Sequence, residues 1–189
     1  MLSLEEKTFQ KKAWVAQELK HQIFSKCRFE SCDFTESDLT SCRFLECKFI
    51  SCNLSLVKLS GVRFQEVFFE HCKLVGVNFA TVDPTFLSVG FKKCVVNTCN
   101  FSDLDLKKTS FEDCLVHDTY FTNTNLKEAN FSGANLKGSV FHNTMLQKAN
   151  FTQAVFYQIS PLTNKLSKAR FSRLEAFSLL ESLDILIEP

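Results

Sequence analysis

From Phe24 to Phe156, with one slip, every fifth residue of the chain is Phe, Leu or Val. The first run is Phe24, Phe29, Phe34, Leu39, Phe44, Phe49, Leu54, Leu59, Phe64, Phe69, Leu74 and Phe79. The second starts at Phe86 and Phe91 and continues through Phe111, Phe131 and Phe151 to Phe156. Seventeen of the 21 Phe lie on this comb. A period of five matches neither a helix (3.6) nor a flat strand (2.0), so it belongs to a repeat architecture. A second position repeats with it. Two residues before most central Phe or Leu stands something small, such as Cys27, Cys32, Ser37, Cys42, Val62, Thr119, Ala129 or Ala149. The residue just before the centre is often Asn, as at 78, 100, 125, 130, 135 and 150, a side chain that bonds nearby backbone and tolerates tight turns.

This pattern predicts a square coil. Five residues make one side, the small and large residues face inward, and four sides close in about 20 residues, with the next coil stacked roughly 4.8 Å away. Residues twenty apart become vertical neighbours, so Phe24, Phe44 and Phe64 form one ring stack and Phe91, Phe111, Phe131 and Phe151 another. The quintets supply about seven coils and a rod about 30 Å long.

The comb slips between Phe79 and Phe86, where Ala80-Thr81-Val82-Asp83-Pro84-Thr85 adds two residues. Pro84 removes a backbone donor, so the stretch is expected to be a bulge between two halves, or a contact loop presenting Thr81, Asp83, Pro84 and Thr85. In residues 1–20, Phe9, Trp14 and Leu19 keep the spacing, but Lys7, Lys12 and Gln17 hold the small position. An irregular first coil, a cap or a brief helix is expected there. The comb fades near Ser160-Pro161, leaving 21–160 as the repeat domain and 161–189 as a tail. Ser172-Arg173-Leu174-Glu175 has capping-box spacing and predicts a short α-helix carrying Ala176, Phe177, Leu179, Leu180 and Leu183, then a strand over 184–188. The tail holds more apolar surface than one coil needs, which predicts a two-fold dimer through Phe177, Leu180, Leu183, Ile185 and Ile187.

The triplets Ala129-Asn130-Phe131, Ala134-Asn135-Leu136 and Ala149-Asn150-Phe151 resemble the consensus of the pentapeptide-repeat family over about residues 20–160. The resemblance implies an all-β solenoid, a right-handed quadrilateral β-helix. Asn53-Leu54-Ser55-Leu56, Asn135–Thr144, Lys168–Ser172 and Ala176–Ile185 are similar to the albicidin-resistance member of that family. The overall layout is similar to its quinolone-resistance (Qnr), mycobacterial MfpA and microcin-B immunity members. Those are dimeric rods joined at their C-termini that bind DNA gyrase, and sometimes topoisomerase IV, and protect it from poisons. The resemblance therefore implies protection of gyrase against albicidin, microcin B-type peptides or quinolones, with mimicry of duplex DNA as the usual mechanism.

Charge sits poorly with mimicry. The chain carries 22 Lys+Arg and 21 Asp+Glu, a net charge of +1. Sorted by face, Lys26, Arg43 and Arg63 stand beside Glu46 and Glu66, Lys92 and Lys93 beside Glu112 and Asp113, and Lys107, Lys108 and Lys127 beside Asp105 and Glu128. No face forms an acidic strip of the density of a duplex, about one charge per 1.7 Å. The same near-neutrality argues against direct nucleic-acid binding. The alternative reading is a scaffold or effector of this fold that binds an unrelated protein.

The nine cysteines all fall at the small inward position, no CxxC pair occurs, and free Cys behaves as a small buried hydrophobe. Reduced, packed thiols are expected, in the columns Cys32/Cys52/Cys72, Cys27/Cys47 and Cys94/Cys114. His71, His117 and His142 fall at outward positions, and no histidine has metal-ligand spacing. No nucleophile motif, phosphate loop or carboxylate constellation appears. The expectation is a non-enzyme with no cofactor and no metal. No apolar run approaches the roughly 20 residues of a membrane span, and the N-terminus lacks the order of a secretory signal, so a cytoplasmic protein is expected.

Overall fold

The computed structural model describes residues 3–183 and residue 185. The chain winds into a β-solenoid of about 8 turns. Its walls are short parallel strands of two to four residues, each paired with chain one coil away. Phe24 pairs with Phe44 and Phe44 with Phe64, while Phe29 pairs with Phe49 and Phe49 with Phe69. Where strands give way to turns, isolated parallel bridges such as Asp33 to Asn53 and Asn130 to Asn150 keep the twenty-residue register. Obligatory backbone groups are thereby satisfied between coils.

The interior is columnar. On one side Phe9, Phe29, Phe49, Phe69, Phe91, Phe111, Phe131, Phe151 and Phe171 stack in an unbroken column with centroids 4.6–5.2 Å apart. Phe24, Phe44 and Phe64 form a shorter column, and Phe79, Phe101, Phe121 and Phe141 a third. Rings of neighbouring columns meet edge to face, as Phe101 does with Phe111 at 5.6 Å and 86°. Both arrangements suit the ring quadrupole.

The corners are made by the second residue after each centre, which takes a left-handed conformation. Lys26 has φ 51°, Glu36 58°, Asp113 54° and Lys148 61°. Each such non-glycine corner costs about 1–2 kcal/mol. Coil pairing offsets that cost, because the corner amide donates to the next coil, as from Lys26 to the Leu45 carbonyl (2.8 Å) and from Glu36 to the Ser55 carbonyl (2.9 Å).

The choice of small residue follows from the central carbonyl. On some sides that carbonyl accepts from the amide three residues on, as Leu126 does from Ala129 (3.1 Å) and Phe131 from Ala134 (3.0 Å). Alanine is sufficient there. On others a thiol or hydroxyl from the next coil also reaches it. Cys52 Sγ donates to Phe29 O, Cys72 to Phe49 O and Cys94 to Phe69 O at 3.3–3.4 Å. Thr124 donates to Phe101 O at 3.0 Å and Thr144 to Phe121 O at 2.7 Å. All nine cysteines are free and buried. The residue before the centre closes the next turn, as when Asp33 Oδ1 accepts from the Thr35 amide at 2.9 Å.

Five expectations are corrected. Phe86 and Phe156 do not face inward. They are 79% and 62% exposed and have left-handed backbones (φ 58° and 59°). At Phe86 the chain has slipped register by two residues, whereas around Phe156 the twenty-residue pairing holds and the chain departs only locally. Tyr157 fills the interior in place of Phe156, 1% exposed and tilted against Phe151 and Phe171. Residues 3–20 are not irregular. Their strands pair in register with the next coil, Leu4 with Phe24 and Phe9 with Phe29, while Lys7, Lys12 and Gln17 stay exposed at the open end. The tail helix, Glu175–Leu183, is a 3-10 helix and not an α-helix. Its expected capping box is not made, since Ser172 Oγ accepts instead from the Gln153 amide of the coil below at 2.7 Å. His117 is half-buried with its Nε2 enclosed, where full exposure is expected from its position.

Candidate interaction surfaces

The slip at 80–88 is a pinned bulge. Asn78 caps a single 3-10 turn, Phe79–Thr81, and Thr81 Oγ1 donates to Asn78 O at 2.9 Å. The Asp83 amide still reaches the previous coil at Val62 O (2.9 Å). The Asp83 carboxylate accepts from the Thr85 amide at 2.9 Å and from Arg63 Nε at 2.6 Å. Those bonds, from Thr85 first and then Arg63, pull its carboxyl down to about 2. Pro84 accepts from the Leu87 amide at 3.2 Å, and Ser88 donates to Phe64 O at 3.0 Å, after which regular pairing resumes. Thr81, Pro84 and Thr85 are exposed and Asp83 is half-buried. They form one surface whose most prominent side chain is Phe86, which the comb assigned to the interior.

The tail forms a second surface. Phe177 is 56% exposed, Leu183 37% and Ile185 53%, while Leu180 is half-buried. Ile187 and the expected terminal strand, apart from Ile185, lie outside the described residues. A third surface was not read from the sequence. Val95 pairs with Leu115 and Tyr120 with Val140 on adjoining sides, all outward and exposed. The available signal was an apolar residue immediately before a centre, where most repeats carry a polar one.

Charges on the walls pair across coils. Lys92 meets Glu112 at 3.0 Å, Lys20 meets Asp38 at 3.1 Å and Arg63 meets Asp83 at 2.6 Å. Among the described residues no helix is long and apolar enough to cross a membrane.

The model of the pentapeptide repeat region matches residues 22–85 and 83–151. The chain belongs to the pentapeptide-repeat family. Its two matched segments overlap at the bulge, so this pentapeptide-repeat rod carries its register slip between two family-like halves. Among solved structures it is similar to two trypsin-treated forms of QnrB1, a plasmid-mediated fluoroquinolone resistance protein. One is 17% identical with a TM-score of 0.56, the other 18% identical with 0.51, and in each case 99% of this chain and 98% of that chain are covered. It is also similar to HetL, a pentapeptide repeat protein from Nostoc involved in heterocyst differentiation regulation, at 16% identity over 89% of this chain and 84% of that one, with a TM-score of 0.49. None of the curated proteins compared with the chain matches it significantly.

Proposed function

We propose that this pentapeptide-repeat protein binds DNA gyrase, with topoisomerase IV as a second target, and protects it from poisons such as albicidin, microcin B-type peptides or quinolones. It acts by contact as a cytoplasmic dimeric rod and performs no chemistry. The observation that carries this reading is the tail. Phe177, Leu183 and Ile185 stand exposed at one end of the rod, in the segment whose sequence resembles the topoisomerase-protection members of the family, and QnrB1 is a fluoroquinolone resistance protein of the same fold. Two copies meeting through Phe177, Leu180, Leu183, Ile185 and Ile187 would bury this surface.

The neutral, ion-paired walls argue for recognition by shape and by the bulge surface of Thr81, Asp83, Pro84, Thr85 and Phe86 over mimicry of duplex charge. The test is gyrase supercoiling with and without the purified protein across several poisons. Restored supercoiling supports the proposal, and full sensitivity to albicidin, microcin B-type peptides and quinolones defeats it. The charge-paired walls equally suit a scaffold or effector for an unrelated protein. A pull-down recovering such a partner and no topoisomerase would favour that second reading.

A further inference from the structure

The wall charges are not spread evenly along the rod. Residues 121–173 carry seven Lys or Arg and a single acid, Glu128, an imbalance that the whole-chain charge of +1 conceals. Glu128 is already met by Lys108 at 3.9 Å, and among the described residues no ion pair lies beyond it. The last coils of the rod therefore hold cations without partners.

The fold gathers these cations at one edge. One wall is centred on Leu126, Leu146 and Leu166, and the next on Phe131, Phe151 and Phe171. Lys148 and Lys168 stand at the corner between the two walls, both left-handed (φ 61° and 60°). They lie one coil apart, roughly 4.8 Å along the rod, a stacking held by the bond from the Lys148 amide to the Ser167 carbonyl at 2.9 Å. Lys165 pairs with Met145 on the first wall and Arg170 with Asn150 on the second, where Arg173 follows. All five are exposed. Glu175 and Glu181 of the tail lie at another corner, beside Asp118 and Gly138. Like charges held this close repel, and a polyanion relieves the repulsion.

We infer that this edge binds duplex DNA through its phosphates, without reading base sequence. The side chains between the cations select that polyanion. Asn130, Ser132, Gln147, Thr152 and Ser167 stand there, and such amides and hydroxyls join Lys and Arg in phosphate contacts. Single strands are held on aromatic platforms, and protein partners on Trp, Tyr or Arg anchors set in desolvated pockets. On these two walls Phe131 and Phe151 are fully buried and Phe171 is stacked on Phe151, so no aromatic face is offered outward. From Lys127 to Lys168 the edge runs two coil rises, roughly 10 Å. A duplex carries about one charge per 1.7 Å of axis, so several phosphates fall within reach of the edge. The inference stands apart from gyrase protection, because its test contains no topoisomerase and either can fail alone.

Fluorescence anisotropy of a labelled mixed-sequence duplex of about 24 base pairs, titrated with the full chain to about 200 μM, tests the inference. A Kd of about 1–50 μM is expected at about 50 mM salt. Neutralising about three to five phosphates should make affinity fall tens- to hundreds-fold by about 200 mM salt. Lys148→Gln with Lys168→Gln and Arg170→Gln, all at exposed positions, should weaken binding at least about tenfold and lower the salt slope by about 2–3. Lys26→Gln with Lys48→Gln and Lys73→Gln removes the same charge from exposed positions in earlier coils and should leave affinity within about threefold of the unaltered chain. Circular dichroism checks that both triple variants stay folded. No saturable binding at low salt, or equal weakening by the two variants, overturns the assignment. So does a single strand of the same length, or polyglutamate, bound as tightly as the duplex.

Discussion

Phe69 and Phe91 stack with centroids 5.2 Å apart and planes 9° from parallel, although 22 residues and not twenty separate them. The two extra residues are therefore spent on one side of one coil. The next three sides recover their partners, with Val67 opposite Val89 and Leu74 opposite Val96. Each ring contacts its neighbours above and below, so the column can absorb a local excursion on another side as long as its own spacing is kept. Stability in such a rod accumulates coil by coil.

Phe111 tests that accumulation. It is fully buried, stacked on Phe91 at 5.0 Å and on Phe131 at 4.9 Å, and met edge-on by Phe101 and Phe121. Phe111→Ala is expected to cost about 3–5 kcal/mol, because rigid coils above and below cannot collapse into the space. Denaturant unfolding measures it, and a loss below about 1 kcal/mol would contradict the column's role.

The thiols should be silent in the folded protein. All nine are buried away from any reagent, and burial pushes Cys47 up to about 12 and Cys99 up to about 11, which leaves these two almost no thiolate at neutral pH. A thiol reagent is expected to find nine groups in denaturant and react far more slowly with the native chain. Markedly fewer than nine in denaturant would indicate disulfides, and fast native labelling would indicate open coils.

The five-residue comb made the square tube, the vertical partners and the inward thiols legible, because side-chain direction is tied to chain geometry. Other features left no mark in it. Corner residues such as Lys26 and Asp113 are left-handed without being glycine, since pairing with the next coil and not residue preference holds them there. Phe86 and Phe156 satisfy the comb by type yet face solvent, because a register slip at the first and a local departure of the chain at the second turn the residue outward without changing its hydrophobicity. The Ser172–Glu175 spacing suggested a cap, but a nearer backbone donor, the Gln153 amide, took the hydroxyl. Of the two surfaces singled out in the sequence, the bulge was marked by Pro84 and the broken period. Its exposed Phe86 was hidden by the same period.

The division of labour at the small position gives a differential test. Cys52 Sγ donates to Phe29 O at 3.3 Å, as Thr124 Oγ1 does to Phe101 O in a later coil. Cys52→Ala removes one of the donors to the Phe29 carbonyl, which also lies in a paired strand, together with the packing of the thiol, an expected loss of about 0.5–1.5 kcal/mol. Cys52→Ser keeps a donor and should cost about 1 kcal/mol less than the alanine variant. Denaturant midpoints of the two variants decide the matter, and an alanine variant as stable as the serine one would show that the thiol only fills space.

Asp83 predicts an acid-sensitive bulge. Its carboxyl is held at about 2, below the ordinary 3.8, by the Thr85 bonds and then by Arg63. A carboxyl depressed in the folded state contributes fully above its unfolded value and loses that contribution as pH falls through the folded one. The affected window therefore runs from about pH 4 down to about pH 2. The effect is modest, because the group is solvent-screened. Across that window Asp83→Asn should flatten the fall of melting temperature with pH. Parallel curves for the two proteins would show that Asp83 does not fasten the bulge.

The tail predicts oligomeric state. Phe177 and Ile185 are more than half exposed in the single chain, so replacing both with Asp disturbs little of the core and places like charges opposite one another across a two-fold contact. The wild-type chain is expected to scatter light as a dimer, and Phe177→Asp with Ile185→Asp as a monomer with unchanged circular dichroism. The monomer should also lose most protection of gyrase if both halves of the rod must engage the enzyme together. Dimers that persist in the double variant would remove the tail from the interface. Full protection by a proven monomer would instead place the gyrase contact on a single rod.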